Sequence, residues 1–171
     1  DYSTISDITI SAGATTGTAS FTPSDDSVYE GNETGIVAIS GVSGADAAED
    51  GTQSVTITIT DNESSPTVTL ATSATSIAEN SGSTLTLTAT ISQAADEDVT
   101  VNLSASGTST NGTDYGSLSS ITVSAGATTG TATFDPTDDS VYEGNETAVI
   151  SISSVSGGDA VESGSQSVTI T

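Results

Sequence analysis

The sequence contains no Cys, Met, Trp, Lys, Arg or His. Without cysteine there is no disulfide framework and no thiol chemistry, so a chain exposed outside the cell would need another kind of staple. Without a basic side chain, none of the 23 Asp and Glu residues has an internal cationic partner, and the formal net charge is −23. Every ion pair must therefore take its cation from solution. The same absence argues against nucleic acid and against an anionic membrane, because both are bound through Lys and Arg that replace counterions. It also removes the usual general bases, activated nucleophiles and charge stabilisers, leaving only paired carboxylates, so an enzyme is not expected. No apolar run of about eighteen residues is present, and the first residues lack the charged start of a signal peptide. Aromatics are scarce at 4% and hydrophobic residues reach only 33%. Disordered acidic chains share that composition, but here Val, Ile, Leu, Ala and Thr fall in ordered alternation, which argues for a folded chain.

What is present is a repeat. Residues 1 to 58 overlay residues 114 to 171 without gaps at an offset of about 113, with roughly 40 positions identical. "ITISAGATTGTASF" (8 to 21) returns as "ITVSAGATTGTATF" (121 to 134), and "DDSVYEGNE" (25 to 33) returns unchanged at 138 to 146. Seven segments rich in β-branched residues are separated by Gly, Asn, Asp and Ser: 66–71, 83–92, 98–104, 118–123, 130–134, 147–153 and 166–171. That spacing predicts an all-β, seven-stranded immunoglobulin-like sandwich. Leu85, Leu87, Ala89 and Ile91 share one face by alternation, as do Val99, Val101 and Leu103, and these are the expected core. The intervening Thr residues are expected to face water. The domain reading is a C-terminal half-repeat over 1–63, a short linker at 64–65 and a complete repeat over 66–171. A half-repeat cannot bury its own inner face, so Asp1 and Thr171 are read as cuts within a longer chain of modules.

The repeated nonapeptide places four carboxylates in nine residues. Calcium takes six to eight oxygen ligands at about 2.3–2.6 Å in irregular geometry, so acids spread along a bent loop suit it. Asp138, Asp139, Glu143 and Glu146 form the acidic loop of the complete repeat, with the carbonyl of Val141 available and Gly144 allowing the chain to turn. Asp114 follows the "TNG" turn, Glu79 follows the first strand, and Asp61 and Glu63 close the preceding half-repeat. Loops at alternate strand ends of a sandwich cluster at one pole, so acids distant in sequence are expected to meet there. Two like charges 4 Å apart repel by about 1 kcal/mol in water and about 4 kcal/mol at a surface-like effective dielectric, which makes a cluster of carboxylates costly until a cation arrives.

The motifs "SIAEN" (76–80), "GTDYGSL" (112–118), "DDSVYEGNE" (138–146) and "VTITITDNE" (55–63) together resemble tandem Calx-beta domains, modules of sodium/calcium exchangers, integrin β4 and many bacterial surface proteins. The resemblance implies calcium ligands at Glu79, Asp114, Asp138, Asp139, Glu143 and Glu146 in the complete repeat. In the half-repeat it implies Asp1, Asp25, Asp26, Glu30, Glu33, Asp61 and Glu63, with the carbonyl of Val28 standing where Val141 stands later. Where the family has a run of acids after its last strand, this chain has Asp61, Asn62, Glu63.

The expected function is structural: a secreted bacterial, cell-surface spacer or fibre in which Ca²⁺ stiffens the joints between neighbouring repeats of the same chain. Self-association into fibres is a further expectation, with neither nucleic acid nor membrane insertion. The alternative is a ligand-binding adhesion module that recognises a host or matrix glycan or protein. Five Asn-X-Ser/Thr sequons, at Asn32, Asn62, Asn102, Asn111 and Asn145, are read as chance in a Ser/Thr-rich chain. Tyr2, Tyr29, Tyr115 and Tyr142 recur once per motif and are read as packing near the loops.

Overall fold

The computed structural model describes residues 2–171. It separates into two compact units, one reaching up to Ser27 and resuming at Asn32–Asp61, the other made of Val28–Gly31 together with Asn62–Thr171.

In the first unit, β1 (Glu33–Ala38) and β2 (Ser54–Ile59) form an antiparallel hairpin running from Glu33 opposite Ile59 to Ala38 opposite Ser54. None of its described residues is buried, and Ile8, Ile36 and Val55 remain 59%, 72% and 56% exposed. The stretch 8–21, nearly identical to 121–134, forms no strand here. Tyr2 bridges to Pro23, and its ring centroid lies 4.8 Å from that of Phe21.

The second unit is the sandwich that the alternation predicts. All seven expected strands form: β3 (Thr67–Thr72), β4 (Leu85–Ile91), β5 (Val99–Gly107), β6 (Ile121–Val123), β7 (Thr129–Phe134), β8 (Ala148–Ser156) and, last in the chain, β10 (Ser167–Ile170). Between the final two lies an unforeseen element, the two-residue β9 (Val161–Glu162), too short for any periodicity to reveal. One sheet has the order β10-β8-β5-β6 and the other β7-β4-β3-β9, antiparallel throughout except for the parallel pair β3 and β9.

The core lies between these sheets. Leu85, Leu87, Ala89 and Ile91 of β4 are buried on one sheet, and Val99 and Val101 of β5 are buried on the other, which also carries Ile121, Ile150 and Ile170. Thr86 and Thr90 point outward, as two-residue periodicity requires. Leu103 keeps the alternation of β5 but is only half-buried, and beside it the ladder slips: Asn102 pairs with Ser154 and Leu103 with Ile152, which leaves Ser153 of β8 as the extra residue. Such a bulge resets alternation on the strand that carries it, here β8, where the buried series Ala148, Ile150, Ile152 ends.

Two features recur at the 113-residue offset. The hairpin register Ser54–Ala38 is repeated as Ser167–Ser151 in the pairing of β10 with β8. A Cβ built on Gly130 would stand 2.2 Å from the carbonyl oxygen of Thr122, and one on Gly17 would stand 2.5 Å from that of Thr9. In both copies only glycine lets the backbones approach so closely.

One pole of the sandwich is closed by backbone hydrogen bonds. The Ile77 amide donates to the carbonyl of Thr171 (3.0 Å), and the Thr108 amide donates to that of Thr147 (2.9 Å). These bonds bring the segment leading to Glu79, the turn carrying Asp114 and the start of β8 beside one another.

Candidate metal centre

Asp114 is the best-anchored acid at this pole. Its amide donates to the carbonyl of Thr110 (2.9 Å), its own carbonyl accepts from the Thr137 amide (2.9 Å), and its carboxylate accepts from the Thr110 amide. The next residue, Tyr115, is 2% exposed and stacks on Phe134 with ring centroids 4.9 Å apart. A core aromatic thus fixes where the adjacent carboxylate emerges. Tyr115 also bridges to Pro136, as Tyr2 does to Pro23, so the arrangement belongs to the repeat.

Glu143 and Glu146 arrive on the acidic loop, where Gly144 adopts a φ of +79° and allows the turn between them. One carboxylate oxygen from each of Asp114, Glu143 and Glu146 lies within 4.8 Å of the others. Glu79, in the short 3₁₀ turn Glu79–Ser81, borders the same concavity together with these three. Partial desolvation, followed by the negative charges of Asp114, Asp139 and Glu79 and contact with the Asp114 side chain, holds Glu143 above the usual carboxylate range. Glu146 is raised by desolvation, then by its hydrogen bond to Asp114 and the charges of Asp114 and Glu143. Burial and the neighbouring Asp114 push the Tyr115 phenol upward as well.

The donor set fits a hard divalent cation. Two oxygens bound to one ion at about 2.4 Å can be no more than about 4.8 Å apart, so these three carboxylates can share one calcium ion. Its remaining positions would fall to Glu79, Asp139, backbone carbonyls or water.

The other sequence-predicted residues lie in various places. Asp138 and Asp139 are exposed at the head of the loop, where the Asp139 carboxylate accepts from the Val141 amide (2.6 Å). Val141 itself is 58% exposed. Among residues 1–63, Asp25, Asp26 and Glu30 are exposed, whereas Val28, Glu33, Asp61 and Glu63 are half-buried. The Asp61 amide donates to the side-chain oxygen of Asn32 (3.1 Å). Asp1, the counterpart of Asp114, lies outside the described residues. The four tyrosines do not behave alike: Tyr115 is buried and Tyr29 half-buried, but Tyr142 is 96% exposed and does not pack.

The Calx-beta domain model matches residues 1–63, whereas residues 64–171 match the LapA domain model. The Calx-beta resemblance read across the whole chain is matched over residues 1–63, and the LapA likeness is one that the motifs did not suggest. No curated protein matches the sequence. Both families fit a module of the cell surface, and neither is a family of enzymes. With 64–171 covering more than half of its length, the chain belongs to the LapA domain family, a cell-surface family related to adhesion.

Proposed function

We propose that this chain is a calcium-stabilised structural module of a secreted, adhesin-type surface protein, acting as a stiff spacer and not as an enzyme. The observation that carries this reading is the convergence of Asp114, Glu143 and Glu146 in a protein that has no cationic side chain to neutralise them. When bound, Ca²⁺ would supply positive charge and cross-link the turn after β5, the acidic loop and the 3₁₀ turn. Asp114 holds its position through three hydrogen bonds, and Glu146 lies two residues before the start of β8. These two ligands would be preorganised, and Glu143 would close over the ion.

In this reading residues 1–63 are the C-terminal half of one repeat and 66–171 a complete one, joined by a linker too short to be free. The corresponding triad of the half-repeat would be Asp1, Glu30 and Glu33 by the 113-residue offset. Millimolar extracellular calcium acting on a site with a dissociation constant near 10⁻⁴–10⁻³ M would add on the order of 1–3 kcal/mol per ion by mass action. Calorimetric titration of Ca²⁺ into chelator-treated protein tests the proposal. Saturable binding in the millimolar range or tighter, abolished in an Asp114→Asn, Glu146→Gln variant, is expected; identical heats from parent and variant would overturn it.

A further inference from the structure

The two copies of "DDSVYEGNE" have identical sequences but different surroundings. The tip of the first, Val28–Gly31, folds into the second unit. There the Tyr29 amide donates to the carbonyl of Ala94 (2.8 Å), its carbonyl accepts from the Asp96 amide (3.1 Å), and the pair Tyr29–Ala95 forms a parallel bridge. The Tyr29 hydroxyl donates to the carboxylate of Asp159 (3.0 Å). The tip of the second copy has its equivalent ring, Tyr142, 96% exposed.

We infer that the loop tip of each repeat is a strand donor, and that Tyr142 docks on the 94–96 edge and the 157–159 turn of a following copy of this module. The acceptor is built for this purpose. Ala95 is 1% exposed and its carbonyl is engaged by the Gly126 amide (2.8 Å), so the segment is fixed from within while the Ala94 carbonyl and the Asp96 amide present an outward edge. Such an edge takes an extended peptide through main-chain bonds, which require no particular side chains, and a flanking pocket supplies specificity. Here that role falls to Asp159, held at a φ of +47° after Gly157 and Gly158. A Cβ on Gly158 would stand 2.8 Å from that of Ala95, so glycine lets the turn lie against the edge.

The turn is itself a feature of the repeat. Gly44, Ala45 and Asp46 adopt φ values of 92°, 51° and 53°, against 93°, 53° and 47° for Gly157, Gly158 and Asp159. A non-glycine residue in this conformation is uncommon, and here an aspartate adopts it at the same position in both copies. The donor is equally invariant, since Val28–Tyr29–Glu30 and Val141–Tyr142–Glu143 are the same residues. The donor tip and the turn that flanks the acceptor edge therefore both recur with the repeat, and a chain of such modules would be linked tip to edge at every step. The docking bonds named here are made by main-chain groups, the Tyr29 hydroxyl and Asp159, so docking is expected to persist without calcium although Glu143 of the Asp114 cluster flanks Tyr142.

The chain has no tryptophan, so Tyr142→Trp installs a single reporter, with Tyr29→Trp as the docked reference. Each variant is examined by acrylamide quenching in the present chain and in a chain extended after Thr171 by a second copy of residues 59–171. This extension preserves the spacing that separates Tyr29 from Ala95. In the present chain the indole of the Tyr142→Trp variant should quench freely and that of the Tyr29→Trp variant weakly. In the extended chain, quenching of the Tyr142→Trp reporter should fall several-fold, to the level of the docked reference, with a blue shift in emission, and the change should persist in EDTA. Equal quenching of the Tyr142→Trp reporter in both chains would overturn the inference. So would protection that arises only with Ca²⁺, which would assign the burial to an ion-tightened joint.

Discussion

Asp114 is where backbone, core and charge meet. Its amide and carbonyl are tied to Thr110 and Thr137 whatever its side chain carries, so Asp114→Asn should keep the fold while weakening Ca²⁺ binding by at least about tenfold, the scale at which even outer-shell partners of metal sites act. Titration calorimetry on a variant with an unchanged circular dichroism spectrum checks this. The raised Glu143 and Glu146 carboxyls give a pH dependence of definite sign. A folded-state value above the unfolded one means that the folded chain binds more protons in the interval between them. In EDTA, stability should thus fall as pH rises from the ordinary carboxylate range through the raised values. In saturating Ca²⁺ the trend should reverse, because protons compete with the ion. Melting temperatures at stepped pH in the two buffers distinguish these outcomes. The meeting of Asp114, Glu143 and Glu146 was legible in the sequence as far as their places on loops at one pole of a sandwich. What was not legible is which acids converge. Asp139 spends an oxygen on the Val141 amide, a local turn that spacing alone does not distinguish from a ligand.

Strands reveal themselves through alternation, but whether they form depends on partners. The stretches 8–21 and 121–134 are nearly the same, yet only the later one yields β6 and β7. β6 pairs with β5 and β7 with β4, and residues 1–61 contain no counterpart of either partner. Propensity in a sheet is realised only against a neighbouring strand, so the same residues form strands at 121–134 and none at 8–21. The bulge at Ser153, opposite Asn102 and Leu103, is invisible to composition for a related reason: the slip depends on how the two strands pair. Two substitutions test the element-level account. Leu87→Ala, at a fully buried position in β4, should cost about 2–5 kcal/mol in chemical denaturation. Gly130→Ala should cost about 1–3 kcal/mol, because its methyl group would be driven into the carbonyl of Thr122 across the β6–β7 approach. If Gly130→Ala proved neutral, the close approach would not be a determinant of the fold.

At the scale of the molecule, a charge of −23 opposes compaction, and monovalent salt and calcium should relieve it differently. Adding CaCl₂ should raise the melting temperature more than NaCl at equal ionic strength, and the excess should vanish in the Asp114→Asn, Glu146→Gln variant. Equal effects of the two salts would reduce calcium to general screening. The hairpin of β1 and β2 keeps the register of β8 and β10 although, among the described residues, no third strand lies beside it. Alignment of those two strands is thus written into the ribbon they form, not imposed by the sheet around it. In a polymer of near-identical units the characteristic kinetic hazard is exchange of strands between neighbours. A ribbon that zips from local information can settle before such an exchange becomes possible, giving each unit its own nucleus for folding.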